Sequence, residues 1–238
     1  MNAPIESKRH GLPTDISGQA VLSSAARRDI ALFFDLDGTL ADTERHHWES
    51  WCAAIRPFGV EFSWARYEQI AIGHPDPEVL ARLAKESPQE FAGVSHQKIL
   101  SEKRRGFAEL VRHRTPVLKI TIDLLEQLRH YRCALVTSSS REEAQSVLSG
   151  AGIGGRFETV VCLDDVQLPK PDPQPYLVAM RRLSVTSGIA FEDSAAGEAS
   201  ARAAGLRTVR VGAPAELPSL VRAYLSSLAL KPSEEETG

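Results

Sequence analysis

Asp35 and Asp37 stand two residues apart at the end of an apolar run, Ala31–Phe34, and Gly38-Thr39 follows at once. In extended backbone, residues i and i+2 project to the same side, so both carboxylates can address one small volume. Two anions so placed repel each other unless a cation or a shared proton relieves them. Three further clusters have residue types suited to chemistry. Thr137, Ser138, Ser139 and Ser140 form a hydroxyl run that ends at Arg141 and leads into Glu142-Glu143. Ser140 and Glu143 fit a helix capping box, while free N–H groups at a helix start, with hydroxyls beside them, also form an anion site. Lys170 lies between Pro169 and Pro171, which restrict the backbone around its ammonium group. Glu192 and Asp193 are adjacent acids, and converging on Asp35 and Asp37 they would make an oxygen-rich site suited to Mg²⁺.

The elements that must position these clusters follow one pattern. A continuous apolar run entering a glycine turn reads as a parallel strand covered on both faces, and ligands of such sheets bind at the carboxyl ends of strands. Further strands are expected over 133–137, 159–163, 189–191 and 208–211, alternating with helices over 141–149, 173–183, 195–204 and 217–228. Ile120, Leu124, Leu125 and Leu128 form one more apolar helix face. Each reactive cluster therefore falls at, or soon after, a strand end. Between Glu44 and Thr115 there is no strand pattern; His47, Trp48, Trp51, Ile55 and Phe58 recur at helical spacing, and helices are expected over 64–72, 76–85 and 95–111. The expected fold class is α/β: a Rossmann-like core of parallel sheet flanked by helices, residues 29–43 and 116–230, with a small helical cap, residues 44–115, inserted after the first strand as a lid. Residues 1–28 are expected to be a flexible N-terminal extension and residues 231–238 a C-terminal tail.

A chain of 238 residues with 42% hydrophobic and 25% charged residues is ordinary for a soluble protein and long enough for a proper core. The net charge of −3 offers no electrostatic footprint for nucleic acid. Cys52, Cys133 and Cys162 are odd in number, lack metal-ligand spacing, and read as buried thiols of a reducing compartment. No apolar run reaches the length of a membrane span and the first residues lack a signal-peptide core. The expected setting is cytoplasmic, with no membrane or nucleic-acid partner, as a monomer or homodimer.

The segment DLDGT, residues 35–39, resembles the first motif of the haloacid dehalogenase superfamily of phosphotransferases, and its extension DLDGTLADTE resembles the phosphatase and β-phosphoglucomutase branch. Thr137-Ser138 resembles the second motif, KPDPQPY from Lys170 the third, and FEDSAAG from Phe191 the fourth. The resemblance implies that Asp35 is the nucleophile of an aspartyl-phosphate, Asp37 the general acid/base, Ser138 the second-motif hydroxyl, and Lys170 the bridge between nucleophile and phosphoryl group. It implies Mg²⁺ held by Asp35, the main-chain carbonyl of Asp37, Asp193 and, directly or from behind, Glu192. Thr137, Ser139, Ser140 and Arg141 are then auxiliary phosphate contacts, and His47, Trp51, Gly73 and His74 substrate-facing residues of the cap. A magnitude shows why cations are needed: Asp35 facing a dianionic phosphate at about 4 Å is repelled by roughly 8 kcal/mol at an effective dielectric near 20.

The implied function is Mg²⁺-dependent hydrolysis of a small phosphorylated metabolite such as a sugar phosphate. The same-fold alternative is a β-phosphoglucomutase-type mutase, which Asp42, Thr43, His47 and Trp51 also fit. A mutase needs a cap arginine soon after the cap glycine; Asp76 stands there, so Arg66, Arg82 or Lys85 would have to substitute. A binding module without turnover is the third reading, and it gives no reason to keep the mutually repelling acids Asp35, Asp37 and Asp193 around Lys170.

Overall fold

Along β1 (Ala31–Phe34) every side chain is buried, because alternate residues enter two different apolar layers. Leu32 and Phe34 join the layer built by Leu124, Leu125, Val147 and Val221; Ala31 and Phe33 join the layer of Tyr176, Ala179 and Leu183. Burial on both faces is what makes the run continuously apolar. The structure, a computed structural model, describes residues 30–229. The extension expected over 1–28 and the tail over 231–238 lie outside the described residues.

Four more strands, β2 (Arg132–Val136), β3 (Thr159–Val161), β4 (Ile189–Glu192) and β5 (Arg207–Arg210), complete a five-stranded sheet in the order β3-β2-β1-β4-β5. All pairings are parallel. Phe34 pairs with both Leu135 and Phe191, so the residues that follow on β1, β2 and β4 emerge side by side. This register is what brings Asp35, Thr137 and Asp193 to one edge.

Five α-helices lie between β1 and β2, and the first four form the insertion: α1 (Glu44–Ile55), α2 (Trp64–Ile70), α3 (Asp76–Glu86) and α4 (His96–His113). No strand interrupts them among the described residues. They share an apolar cluster of their own, including Trp51, Ile55, Tyr67, Leu80 and Ile99. Helix α4 belongs to two clusters, since its Phe107 and Val111 pack with the layer above β1. The remaining helices are α5 (Lys119–Gln127), α6 (Arg141–Gly150), α7 (Gln174–Leu183), α8 (Ala195–Ala203) and α9 (Leu217–Ala229).

Most boundaries fall within a residue or two of expectation, and two of the differences have a local cause. β3 stops at Val161, and the residues expected to continue it turn into a short 3-10 segment, Leu163–Asp165, whose Asp165 accepts from Cys162 N–H. Helix α6 runs through Gly150, and the reversal falls on Gly152 at φ 68°. Cys133 and Cys162 are buried, and burial pushes their thiols up to about 12 and about 11; Cys52 is half-buried, and all three are free. Among the described residues no helix is long and apolar enough to cross a membrane.

Candidate active site

Asp35 is the first residue beyond β1, and its N–H still donates to Phe191 O across the sheet at 3.1 Å. Its side chain is buried, with Oδ1 accepting from Lys170 Nζ at 2.7 Å. The same ammonium donates to Val136 O at 2.9 Å and to Glu192 Oε1 at 2.5 Å, and Tyr176 Oη donates to that Glu192 oxygen at 2.5 Å. Burial opposes the charge on Lys170, yet Asp35 and Glu192 outweigh it and hold the lysine pKa above its ordinary value.

Asp37 is turned the other way. Its Oδ1 accepts from Thr43 Oγ1 at 2.5 Å and from His47 Nε2 at 3.2 Å; its Oδ2 accepts from Ser139 Oγ at 2.6 Å and Thr137 Oγ1 at 3.3 Å. Burial alone would raise its pKa, but His47 and the hydroxyls overcome this and hold the carboxyl below the usual range. Behind His47 lies Lys103, fully buried on α4, whose Nζ is 2.8 Å from His47 Nδ1, 2.8 Å from Asp76 Oδ2 and 2.6 Å from Glu143 Oε1. A charged lysine needs Nδ1 as an acceptor. That assigns the neutral tautomer with its proton on Nε2, where it points at Asp37.

These groups surround a cavity of about 270 Å³. Asp35, Asp37, Ser138, Ser139, Ser140, Lys170 and Asp193 line it from the sheet edge, His47 and Trp51 from α1, and Gly73 and His74 from the turn between α2 and α3. Ser138 makes no hydrogen bond among the described residues, whereas Thr137 and Ser139, one strand step apart, both reach Asp37. Ser140 is occupied as the cap of α6, completing the capping box with Glu143. Arg141 corrects the expectation of a phosphate contact: its guanidinium pairs with Asp165 and it does not line the cavity. Arg66 pairs with Glu86, Arg82 donates to Ile70 O at 2.9 Å, and Lys85 is exposed; none of the three lines the cavity either.

Asp35, Glu192 and Asp193 offer carboxylate oxygens within 4.8 Å of one another. The Asp37 side chain is not part of this group, so of the metal ligands expected at that residue only its main-chain carbonyl is left. Burial and then Glu192 push Asp193 up to about 7, and burial also pushes Asp35 well up against the pull of Lys170. Carboxylates so shifted are short of positive charge, and hard oxygen donors in this arrangement fit Mg²⁺. Two glycines make the room. A Cβ on Gly38, at φ 76°, would stand 2.2 Å from Asp193 Oδ2, and one on Gly197 would stand 2.0 Å from Glu192 Oε2.

Two cavity residues went unseen in the sequence, Glu44, whose carboxylate accepts from Tyr67 Oη at 2.5 Å, and Arg104; Asp76, noted there only as standing where a cap arginine would be, also lines the cavity and accepts from Trp51 Nε1 at 3.2 Å. Lys103 carried a readable signal, since it falls on the buried α4 stripe with Ile99, Phe107 and Val111.

A parallel α/β sheet with paired carboxylates, a buried lysine and a third acid at its carboxyl edge defines an enzyme active site of the phosphoryl-transfer type. The haloacid dehalogenase-like hydrolase family matches residues 32–211, and the chain belongs to it. It is 31% identical over 186 residues to a phosphorylated carbohydrates phosphatase of Thermotoga maritima, covering 75% of this chain and 83% of that one. It is 32% identical over 177 residues to validoxylamine A 7'-phosphate phosphatase of Streptomyces hygroscopicus subsp. limoneus, covering 73% and 81%. The crystal structure of CbbY from Rhodobacter sphaeroides in complex with phosphate superposes with a TM-score of 0.68 at 26% identity, covering 75% of this chain and 84% of that one.

Proposed function

We propose that this protein is a Mg²⁺-dependent phosphatase of a small phosphorylated metabolite, with sugar phosphates as the leading class, acting through an aspartyl-phosphate on Asp35. The observation that carries the reading is the contact of 2.7 Å between Asp35 Oδ1 and Lys170 Nζ at the floor of the cavity. It supplies a carboxylate oxygen with a fixed cation beside the position an incoming phosphoryl group would take. Relatives named for phosphatases of carbohydrate and related phosphates support the substrate class.

Asp35 Oδ attacks phosphorus, the bond to the substrate oxygen breaks, and that oxygen leaves with the proton that Asp37 carries into the step, which leaves Asp37 ionised. Water then attacks the aspartyl-phosphate, Asp37 takes the water's proton, and inorganic phosphate leaves with Asp35 restored. The four donors around Asp37 favour its ionised form, which is the form this second step requires. Mg²⁺ bound by Asp35, Asp193 and the Asp37 carbonyl, with Glu192 behind, would supply positive charge to the phosphoryl oxygens. Lys170 adds a second, fixed positive charge. Residues 44–115 form the cap in this reading, and 29–43 with 116–230 the core; the cap excludes bulk water during transfer.

Asp76, a carboxylate committed to Lys103 at 2.8 Å, stands where the mutase's arginine is expected, while Arg104 lines the cavity from α4, so isomerisation is the assay that separates the two readings. The deciding experiment is phosphate release from a panel of metabolite phosphates with Mg²⁺, wild type beside Asp35→Asn, with glucose 1-phosphate isomerisation followed in parallel. Release lost in the variant is expected. No release from any substrate would count against the phosphatase, and isomerisation without net release would reinstate the mutase.

A further inference from the structure

Arg104 lines the cavity, half-buried, one residue past the network lysine on α4. It has no hydrogen bond or ion pair among the described residues. Its helix explains why. Arg105 pairs with Glu102 and Arg112 with Glu109, each at i−3, but the i±3 and i±4 neighbours of Arg104 are Leu100, Ser101, Phe107 and Ala108. The other basic side chains at this cavity have partners: Lys170 has Asp35 and Glu192, His74 has Glu78 at 3.3 Å, and His47 has Asp37.

A partly desolvated guanidinium with five donors and no acceptor gains most from a planar anion, which it can meet in bidentate fashion. The rest of the helix-side wall restricts where such an anion can sit. Glu44 and Asp76 line it and repel negative charge, and Glu44 has a neutral phenol, Tyr67, as its hydrogen-bonding partner. The phosphoryl group to be transferred belongs at Asp35 and Lys170. We propose that Arg104 is a specificity-determining residue that holds a second, non-transferred anionic group of the substrate, a carboxylate or a phosphate. The substrate class narrows from phosphorylated metabolites in general to those bearing two anionic ends. This rests on the phosphatase reading for the placement of the transferred phosphate.

The test uses binding, so that it does not depend on turnover. Calorimetry on the Asp35→Asn protein with Mg²⁺ compares two matched pairs: fructose 1,6-bisphosphate with fructose 1-phosphate, and 6-phosphogluconate with sorbitol 6-phosphate. The first pair reads a second phosphate and the second pair a carboxylate. At least one pair is expected to show a preference of roughly tenfold or more for the doubly anionic member, as charge-assisted pairing implies. Adding Arg104→Ala is expected to bring that preference to within about twofold, and Arg104→Lys to restore part of it as a point charge. Arg104 is half-exposed and unpaired, so neither change threatens the fold. No preference in either pair, a preference that survives Arg104→Ala, or equal weakening of both members would each overturn the assignment; equal weakening would place Arg104 on the transferred phosphate instead. Absence of phosphate release by wild type would sink the phosphatase reading separately, since the preference is read without catalysis.

Discussion

Replacing Lys103 with methionine keeps the aliphatic stem and removes the charge that joins α4 to Glu143 on α6 and Asp76 on α3. The side chain is fully buried and lies 2.6 Å and 2.8 Å from those two carboxylates. Removing one partner of a buried pair leaves uncompensated charge at a cost of about 3–5 kcal/mol. In a chain of this size that corresponds to a fall in Tm of roughly 6–20 °C. The pH dependence provides a second magnitude. Burial opposes ionisation of Glu143, but Lys103 prevails and holds its pKa down to about 2, against an ordinary value of 4.5. A depressed carboxylate contributes stability above its unfolded pKa and loses it as pH falls toward the folded one. The contribution is therefore complete at pH 7, on the order of 3 kcal/mol, and disappears between about pH 4.5 and 2. Denaturant unfolding of wild type and Lys103→Met from pH 7 to pH 3 should show a gap that narrows with acid. Adding Glu143→Gln and Asp76→Asn should recover most of the loss at pH 7, since a neutral trio leaves no orphan charge. A gap below about 1 kcal/mol at pH 7, or one that stays constant to pH 3, would refute the reasoning.

Other expected outcomes follow from single contacts. Asp35→Asn should lower phosphate release by at least about 10³-fold while leaving the fold intact, as circular dichroism can verify. Gly38→Ala should cost roughly 1–3 kcal/mol for its left-handed backbone and also displace Asp193, so both thermal midpoint and Mg²⁺ affinity should fall. Ser140→Ala should lose about 1 kcal/mol of stability through the α6 cap with KM unchanged; a rise in KM without a stability loss would return Ser140 to the substrate site. Chelation of divalent metal should abolish release, and Mg²⁺ should restore it; unchanged turnover in excess chelator would remove the metal from the proposal.

The strands were legible because a strand buried on both faces leaves an unbroken apolar run, and β1 was read to the residue. The acids at its rim stood out because charged residues at the ends of apolar runs have no packing reason to be there, and Lys170 because prolines flank it on both sides. The hydroxyl cluster was harder. Four consecutive small polar residues announce a site without saying which hydroxyls meet Asp37 and which face the cavity; strand alternation puts Thr137 and Ser139 on Asp37, and Ser138 lines the cavity. Arg141 looked like an anion contact beside a helix start, but its partner Asp165 comes from the turn after β3, a placement that no local pattern carries. Lys103 could have been found, because a lysine at the centre of a stripe of Ile99, Phe107 and Val111 must either break the helix face or pair in the dark. Arg104 could not: its significance lies in the partners it lacks, and those are absent only once the chain is folded.

The hydrogen bonds around Asp37 come from two sides of the molecule. Thr137 and Ser139 belong to the loop after β2, while Thr43 and His47 belong to the first turn of the helical insertion. Proton affinity and segment position are thereby joined in one thermodynamic cycle. Any displacement that withdraws Thr43 and His47 from Oδ1 makes the carboxyl a weaker acid, and by reciprocity a proton arriving on Asp37 weakens the hold on that segment. In the proposed reaction, the group that exchanges protons is thus also a sensor of where the insertion stands.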